Sequence, residues 1–345
     1  MAVTGKPWRR RESPTSILAI RLQAFGDVTI TLPYLRALRN QLPSTRIDFL
    51  TRAEDVDLPR ALGVFDRVHA LQGGRSERVQ LMAAPLLFPG LLRRRYPVVI
   101  DLQNNRVSRA VRRFISPGAW SAFDRESPTS AGERTRLTIQ AAGFSLSDVE
   151  FKLSLTDSNL GARVLREANW DPGRPLVVLS PAGAMPTRNW PVERYVRFAQ
   201  IWREQYGAQF AVLGLGTVAS KATAMQAALG DSLINLAGRT SAPEAMGILQ
   251  RSSLVLTEDC GLMHMAWTSG VPTLALFGSS RHEWSAPIGD HTACLHSGDL
   301  PCGACMDASC RFGDVHCLTR YTPEQVVAEA ERLLARVTRA VRVVN

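Results

Sequence analysis

The stretch at 254–278, LVLTEDCGLMHMAWTSGVPTLALFG, constrains the fold more than any other part of the chain. An apolar run of strand length ends at Asp259 and Gly261 opens a short segment of helical period. Gly270 and Pro272 stop that segment before a second apolar run at 273–277. This is a strand, helix, strand unit with a carboxylate, Asp259, and a histidine, His264, near the point where the first strand meets the helix. In open parallel sheets that carboxyl edge is where ligands sit, and the free N–H groups of the helix favour an anion there. A plainer reading also fits, with Asp259 capping the helix and His264 packed in its first turn.

The same alternation runs along the rest of the chain. Residues 17–22 read as a strand, 23–27 as a polar turn containing Gly26, and Ile30, Leu32, Leu35, Leu38 and Leu42 as one face of a helix, so Asp27 falls at a strand-to-helix junction. Further strands are expected at 46–50, 67–71 and 98–101. Residues 117–135, rich in Ser, Pro, Gly and charge, are expected to be irregular. The pattern then restarts, with strands at 176–180, 210–213, 233–236, 254–257 and 273–277, and a helix from Pro191 with Gly207 beyond its end. Strands alternating with helices predict an α/β fold with parallel, doubly wound sheets. At 345 residues and 45% hydrophobic, the chain has enough apolar side chains for two such halves, dividing between 150 and 172.

The net charge of +10 comes almost entirely from arginine, lysine occurring only at Lys6, Lys152 and Lys221. Such a surface attracts anionic lipid, sugar phosphate or nucleic acid. Nucleic acid is set aside, because the chain has no RNA-recognition aromatic motif, no zinc finger with paired histidines and no helix-turn-helix. The basic residues Lys6, Arg9, Arg10 and Arg11 are not followed by a secretory apolar region, and no window approaches the roughly 20 apolar residues of a membrane span. The expectation is a cytoplasmic protein whose cationic N-terminal arm either rests on a membrane surface or does nothing.

Three separated blocks resemble one family: IRLQAFGDVTITLPYLRALR at 20–39, LSPAGAMPTRNWPVERYVRFA at 179–199 and LTEDCGLMHMAWTSGVPTLALFG at 256–278. In their order and separation they are similar to glycosyltransferase family nine, the bacterial ADP-heptose:lipopolysaccharide heptosyltransferases. NLAGRTSAPEAMGILQRSSL at 235–254 looks like that family too, so the resemblance covers most of 17–335. It implies a GT-B architecture of two Rossmann-like domains facing a cleft, the N-terminal one binding the acceptor and the C-terminal one the nucleotide sugar. The expected division is a disordered basic tail at 1–16, domains at 17–160 and 161–320, and a C-terminal helix at 321–345 packing back toward the first domain. The implied partners are an ADP-heptose donor and a lipid-linked glycan acceptor, with peripheral contact at the cytoplasmic face of the inner membrane. No cofactor or divalent ion is implied for catalysis, which would be a direct inverting displacement.

Sugar transfer from a nucleotide diphosphate needs a base for the acceptor hydroxyl and positive charge for the departing diphosphate. Asp27 stands where the family has its proposed base, although a helix-capping carboxylate would look the same. Arg188 occupies the place of a family lysine and would stabilise the diphosphate, bidentately if the geometry allows; otherwise it is an exposed charge ahead of a helix. Gly183, Asp259, Gly261 and His264 match the family's donor-binding blocks, with Gly261 expected to present backbone N–H groups and Asp259 to bond sugar hydroxyls. Cys260 replaces the usual Ser or Thr, and GLGTVASKA at 214–222 lacks the carboxylate the family commonly offers to the ribose. A GT-B sugar-nucleotide epimerase, a transferase for another sugar or a protein acceptor, and a non-catalytic nucleotide-binding module are the alternatives. A NAD-linked oxidoreductase is disfavoured by the absence of GxGxxG after the first strand.

Cys302, Cys305, Cys310 and Cys317 are spaced C-x2-C-x4-C-x6-C. Four thiols over so short a stretch favour a structural zinc or iron site over disulfides in a cytosolic protein, with free or transiently oxidised thiols the other reading. Cys260 and Cys294 read as ordinary buried thiols.

Overall fold

The computed structural model describes residues 3–146 and 148–344, which fall into two compact units, Met1–Thr156 and Asp157–Asn345. The first holds β1 (Thr4–Lys6), β2 (Ser16–Ile20), β3 (Arg46–Arg52), β4 (Arg67–Leu71), β5 (Val98–Asp101) and β6 (Ala119–Ala122) in one sheet of order β1-β6-β5-β2-β3-β4. All neighbours are parallel except β1 and β6. β2, with the sequence SILAI, is buried at every position, as a strand covered by helices on both faces must be. It lies between β3 and β5, so the winding of the chain reverses beside it. The C-terminal ends of β2 and β5 therefore diverge into a crevice, and the helix Phe25–Gln41 that follows β2 starts there, carrying Asp27 in its first turn.

The second unit repeats the plan with β7 (Leu176–Ser180), β8 (Gln209–Val212), β9 (Leu233–Asn235), β10 (Leu254–Glu258), β11 (Thr273–Leu276) and β12 (Thr292–Leu295), all parallel, in the order β12-β11-β10-β7-β8-β9. Its reversal falls between β7 and β10. The loop 181–190 and the start of the helix Gly261–Thr268 consequently leave the sheet side by side. Beneath them Trp190, Tyr195, Phe198, Trp202 and Phe210 are almost fully buried, each contributing ~1.5–3 kcal/mol by leaving water.

Two expectations are corrected. The basic tail is not a free arm: Thr4–Lys6 adds an edge strand antiparallel to β6, and the Trp8 N–H donates to the Ala142 carbonyl at 2.8 Å. The edge of β6 offers unpaired backbone groups, and the tail satisfies them despite its polar sequence; Met1 and Ala2 lie outside the described residues. Residues 117–135 are irregular only at 123–130 and around 117–118, since the stretch also contains β6 and opens the helix Ala131–Ala141. Trp120 of β6 is covered by the Arg112 guanidinium, 4.1 Å above its ring. The last helix, Pro323–Val344, packs on the helix Val192–Tyr206 and on β11 and β12. Its stripe of Val326, Val327, Ala330 and Leu333 joins the core of the second unit.

Candidate active site

At the β2 edge of the first unit, Asp27 does what a capping carboxylate does and more. One oxygen accepts the Ala24 N–H at 3.0 Å, and the other lies 3.1 Å from the Arg21 guanidinium. Arg21 is nearly buried while the Asp27 side chain keeps 37% of its surface. Arg21 is fixed in turn by donating to the Leu102 carbonyl and by stacking 4.7 Å over Phe123. Arg134 approaches the same ring at 5.0 Å. Burial and the charge of Arg21 hold the Arg134 guanidinium below its ordinary range. Gln103, from the loop after β5, accepts the Leu22 and Gln23 N–H groups, both at 3.0 Å. The two loops of the crevice are thereby tied together, and Asp27 is presented as an oriented, half-exposed carboxylate.

At the β7–β10 edge of the second unit, Arg188 ends the short turn Pro186–Arg188 and its guanidinium lies 3.2 Å from Asp259. Both side chains are mostly buried, and the Arg188 Nε has no hydrogen-bond partner among the described residues. A buried, incompletely satisfied guanidinium is a ready site for a phosphate oxygen. Gly183 shapes this loop: a Cβ there would stand 2.5 Å from the Arg188 carbonyl oxygen. Its own N–H is spent on Glu258 at 2.7 Å, so Gly183 serves the site by close backbone approach.

Glu258, unremarked in the sequence, is the hub of this loop. It is fully buried at the end of β10 and accepts the N–H groups of Gly183 at 2.7 Å and Trp190 at 2.6 Å. Burial pushes its carboxyl up to about 7, against the opposing pull of Lys221, those two N–H groups and Tyr195. Lys221, from the segment 214–222, donates to the Pro181 carbonyl at 2.8 Å and to the Asn189 side-chain oxygen. Glu258 and Lys221 thus clamp both ends of the loop that carries Arg188. Lys221 is one of three lysines in an arginine-rich chain, the single signal in the sequence that sets it apart.

Gly261 opens the eight-residue helix Gly261–Thr268, whose N-cap, Cys260, makes no side-chain capping bond. The first-turn N–H groups are then left for another acceptor. The Cys260 thiol turns toward Ser180 and Thr257, 3.5 Å from each hydroxyl, and burial raises it above its ordinary range. His264 is buried, and its Nδ1 accepts the Trp267 indole N–H at 3.1 Å. In the neutral ring this leaves the proton on Nε2.

The tetrahedral thiolate site expected at Cys302, Cys305, Cys310 and Cys317 is not formed: among the described residues no three His, Cys, Asp or Glu side chains are grouped to hold a metal ion. The four cysteines are free thiols lining one cavity of about 30 Å³. Burial and the neighbouring cysteines push the Cys317 thiol up to about 11. The loop is instead fastened by hydrogen bonds. Thr187 Oγ1 donates to the Asp307 carbonyl at 2.6 Å, and the Met306 N–H donates to the Ser279 carbonyl at 2.8 Å. Met306 so comes within 4.0 Å of the Arg188 guanidinium.

The model of glycosyltransferase family 9 (heptosyltransferase) matches residues 87–316. The chain belongs to this family. Lipopolysaccharide heptosyltransferase 1 of Pseudomonas aeruginosa is 25% identical over 92% of this chain and 98% of its own length. Lipooligosaccharide heptosyltransferase 2 of Haemophilus influenzae is 24% identical over 93% of this chain and all of its own. Among solved structures, the glycosyl transferase family 9 protein from Veillonella parvula superposes with a TM-score of 0.78 at 19% identity, covering 93% of this chain and 97% of that one. The family 9 chain is thus a glycosyltransferase, and its two doubly wound units are the Rossmann-like halves of the GT-B architecture.

Proposed function

We propose that this family 9 enzyme transfers a heptose from an ADP-sugar to a lipopolysaccharide core or another glycan acceptor, with inversion at the anomeric carbon. Asp27 accepts the proton of the acceptor hydroxyl as that oxygen attacks. Arg188 exchanges its bond to Asp259 for the diphosphate oxygens and takes up the charge that develops as the C–O bond breaks. The free N–H groups at the start of the Gly261–Thr268 helix add to that charge stabilisation, and Asp259, released from Arg188, is left to accept sugar hydroxyls. The observation that carries this reading is the buried Arg188–Asp259 pair at the reversal point of the second sheet, 3.2 Å apart with the Nε of Arg188 unsatisfied, in a chain aligned to heptosyltransferases over nearly their whole length.

The test is a transfer assay with ADP-heptose and a lipopolysaccharide core acceptor in the presence of a chelator. Product is expected, with inverted configuration and chelator-independent rate. Turnover of the nucleotide sugar without acceptor would favour an epimerase instead. Stronger thermal stabilisation by a different nucleotide sugar would reassign the donor.

A further inference from the structure

Five large apolar side chains stand exposed on one layer of helices in the first unit. Val79 and Met82 lie on Glu77–Ala83, Leu86 on the turn after it, Leu92 on Phe88–Arg94, and Phe114 on Arg106–Ile115. Met82 and Leu86 are 79% and 81% exposed. These helices contact one another, and Phe88 stacks on Phe114 at 3.6 Å between ring centroids. Their inward residues Leu91, Val107 and Val111 share one core with Leu18 and Val99 of the sheet, so the outward residues belong to a single face. The surface of the same segment is also strongly basic. Seven arginines between 75 and 113 are exposed, Arg78, Arg93 and Arg113 among them, while Glu77 is the one carboxylate in the same span that reaches the surface.

We propose that this face docks the protein on an anionic lipid bilayer, Met82 and Leu86 entering the headgroup boundary and the arginines pairing with lipid phosphates. The combination is what an interfacial surface requires: apolar side chains reach the acyl boundary, and basic ones stretch their stems over apolar surface while keeping their heads at phosphate level. A second copy of the same face is a poor occupant, because seven arginines would meet seven arginines. Nucleic acid would answer the charge but leave Met82 and Leu86 in water. The proposal deepens the lipid-linked acceptor reading, but its test needs no sugar transfer.

The full chain is sedimented with vesicles of phosphatidylcholine alone and of phosphatidylcholine mixed with phosphatidylglycerol. Binding is expected on the mixed vesicles, weakened by salt, with little on the neutral ones. The double variant Met82→Asp, Leu86→Asp is expected to lose binding by about tenfold while retaining the wild-type affinity for ADP, which reports an intact fold. Equal binding by the double variant, or equal binding to both vesicle types, would overturn the proposal. So would a dimer that the double variant abolishes, or tighter binding to a mixed-sequence oligonucleotide that Arg93→Glu weakens and the double variant does not. Vesicle binding with no transfer of heptose would leave the docking face standing and overturn the substrate assignment alone.

Discussion

Glu258 meets two demands that pull in opposite directions. Burial lifts its carboxyl from 4.5 to about 7, so between those values the folded chain binds more protons than the unfolded one. The stability this group contributes is present below about pH 4.5 and is lost as the pH rises through about 7, for a total of ~3 kcal/mol. The loop is held better in the other state, since the carboxylate is a charge-assisted acceptor to both the Gly183 and Trp190 N–H groups, whereas protonation weakens the oxygen that carries the hydrogen. Lys221 and Tyr195 face Glu258, and the Cys260 thiol lies close enough to feel its charge. ADP affinity is therefore expected to rise as the pH passes through about 7 in the wild type and to stay flat and low in Glu258→Gln, measured by calorimetry from acid to mild alkali. Denaturant unfolding of the same pair should show the wild type losing stability relative to Glu258→Gln over that range. A pH-independent wild-type affinity would remove Glu258 from the donor site. Nothing in the sequence separates Glu258 from the apolar run it terminates; its role comes from two N–H groups 68 and 75 residues away in the chain.

The loop 181–190 is the element on which the donor site depends, and Gly183 is its tightest point. Gly183→Ala places a methyl group 2.5 Å from the Arg188 carbonyl oxygen and 2.9 Å from its Cβ. The loop must shift, and ADP affinity is expected to fall about tenfold or more with a loss of ~1–3 kcal/mol in stability, read by calorimetry and thermal unfolding. Unchanged affinity would show that the position of Arg188 is not set here. Elements with strong internal periodicity were legible in the sequence: strands β2–β5 and β7–β11, the helix after Pro191 and the junctions at Asp27 and Asp259 lie where the apolar pattern put them, whereas the parallel strand β12 was not foreseen. Elements that exist by pairing were not. Ala119–Ala122 is too short to stand out and becomes a strand by pairing with β5, and the polar Thr4–Lys6 becomes one by completing the hydrogen bonds at the free edge of β6. The cysteine spacing was equally misleading, because proximity in sequence does not supply the orientation a metal requires.

At the scale of the whole molecule, one plan is used twice: a largely parallel sheet that reverses direction, with the proposed chemistry on the two loops at the reversal. In the first unit the reversal presents Asp27 held by Arg21; in the second it presents Arg188 held by Asp259. This doubling was visible in the sequence as two runs of alternating strand and helix patterns, and the family match agrees with it. Among the described residues no helix is long and apolar enough to cross a membrane. The division of labour, proton chemistry in the first unit and donor binding in the second, is the central claim, and Asp27→Asn tests it most directly. The amide keeps an oxygen to accept the Ala24 N–H, so the start of its helix stays capped, but it can no longer take a proton. Transfer from ADP-heptose is expected to fall by a factor on the order of 10²–10⁴ while calorimetric ADP affinity stays at the wild-type value. Transfer near the wild-type rate, or a parallel loss of ADP affinity, would contradict it.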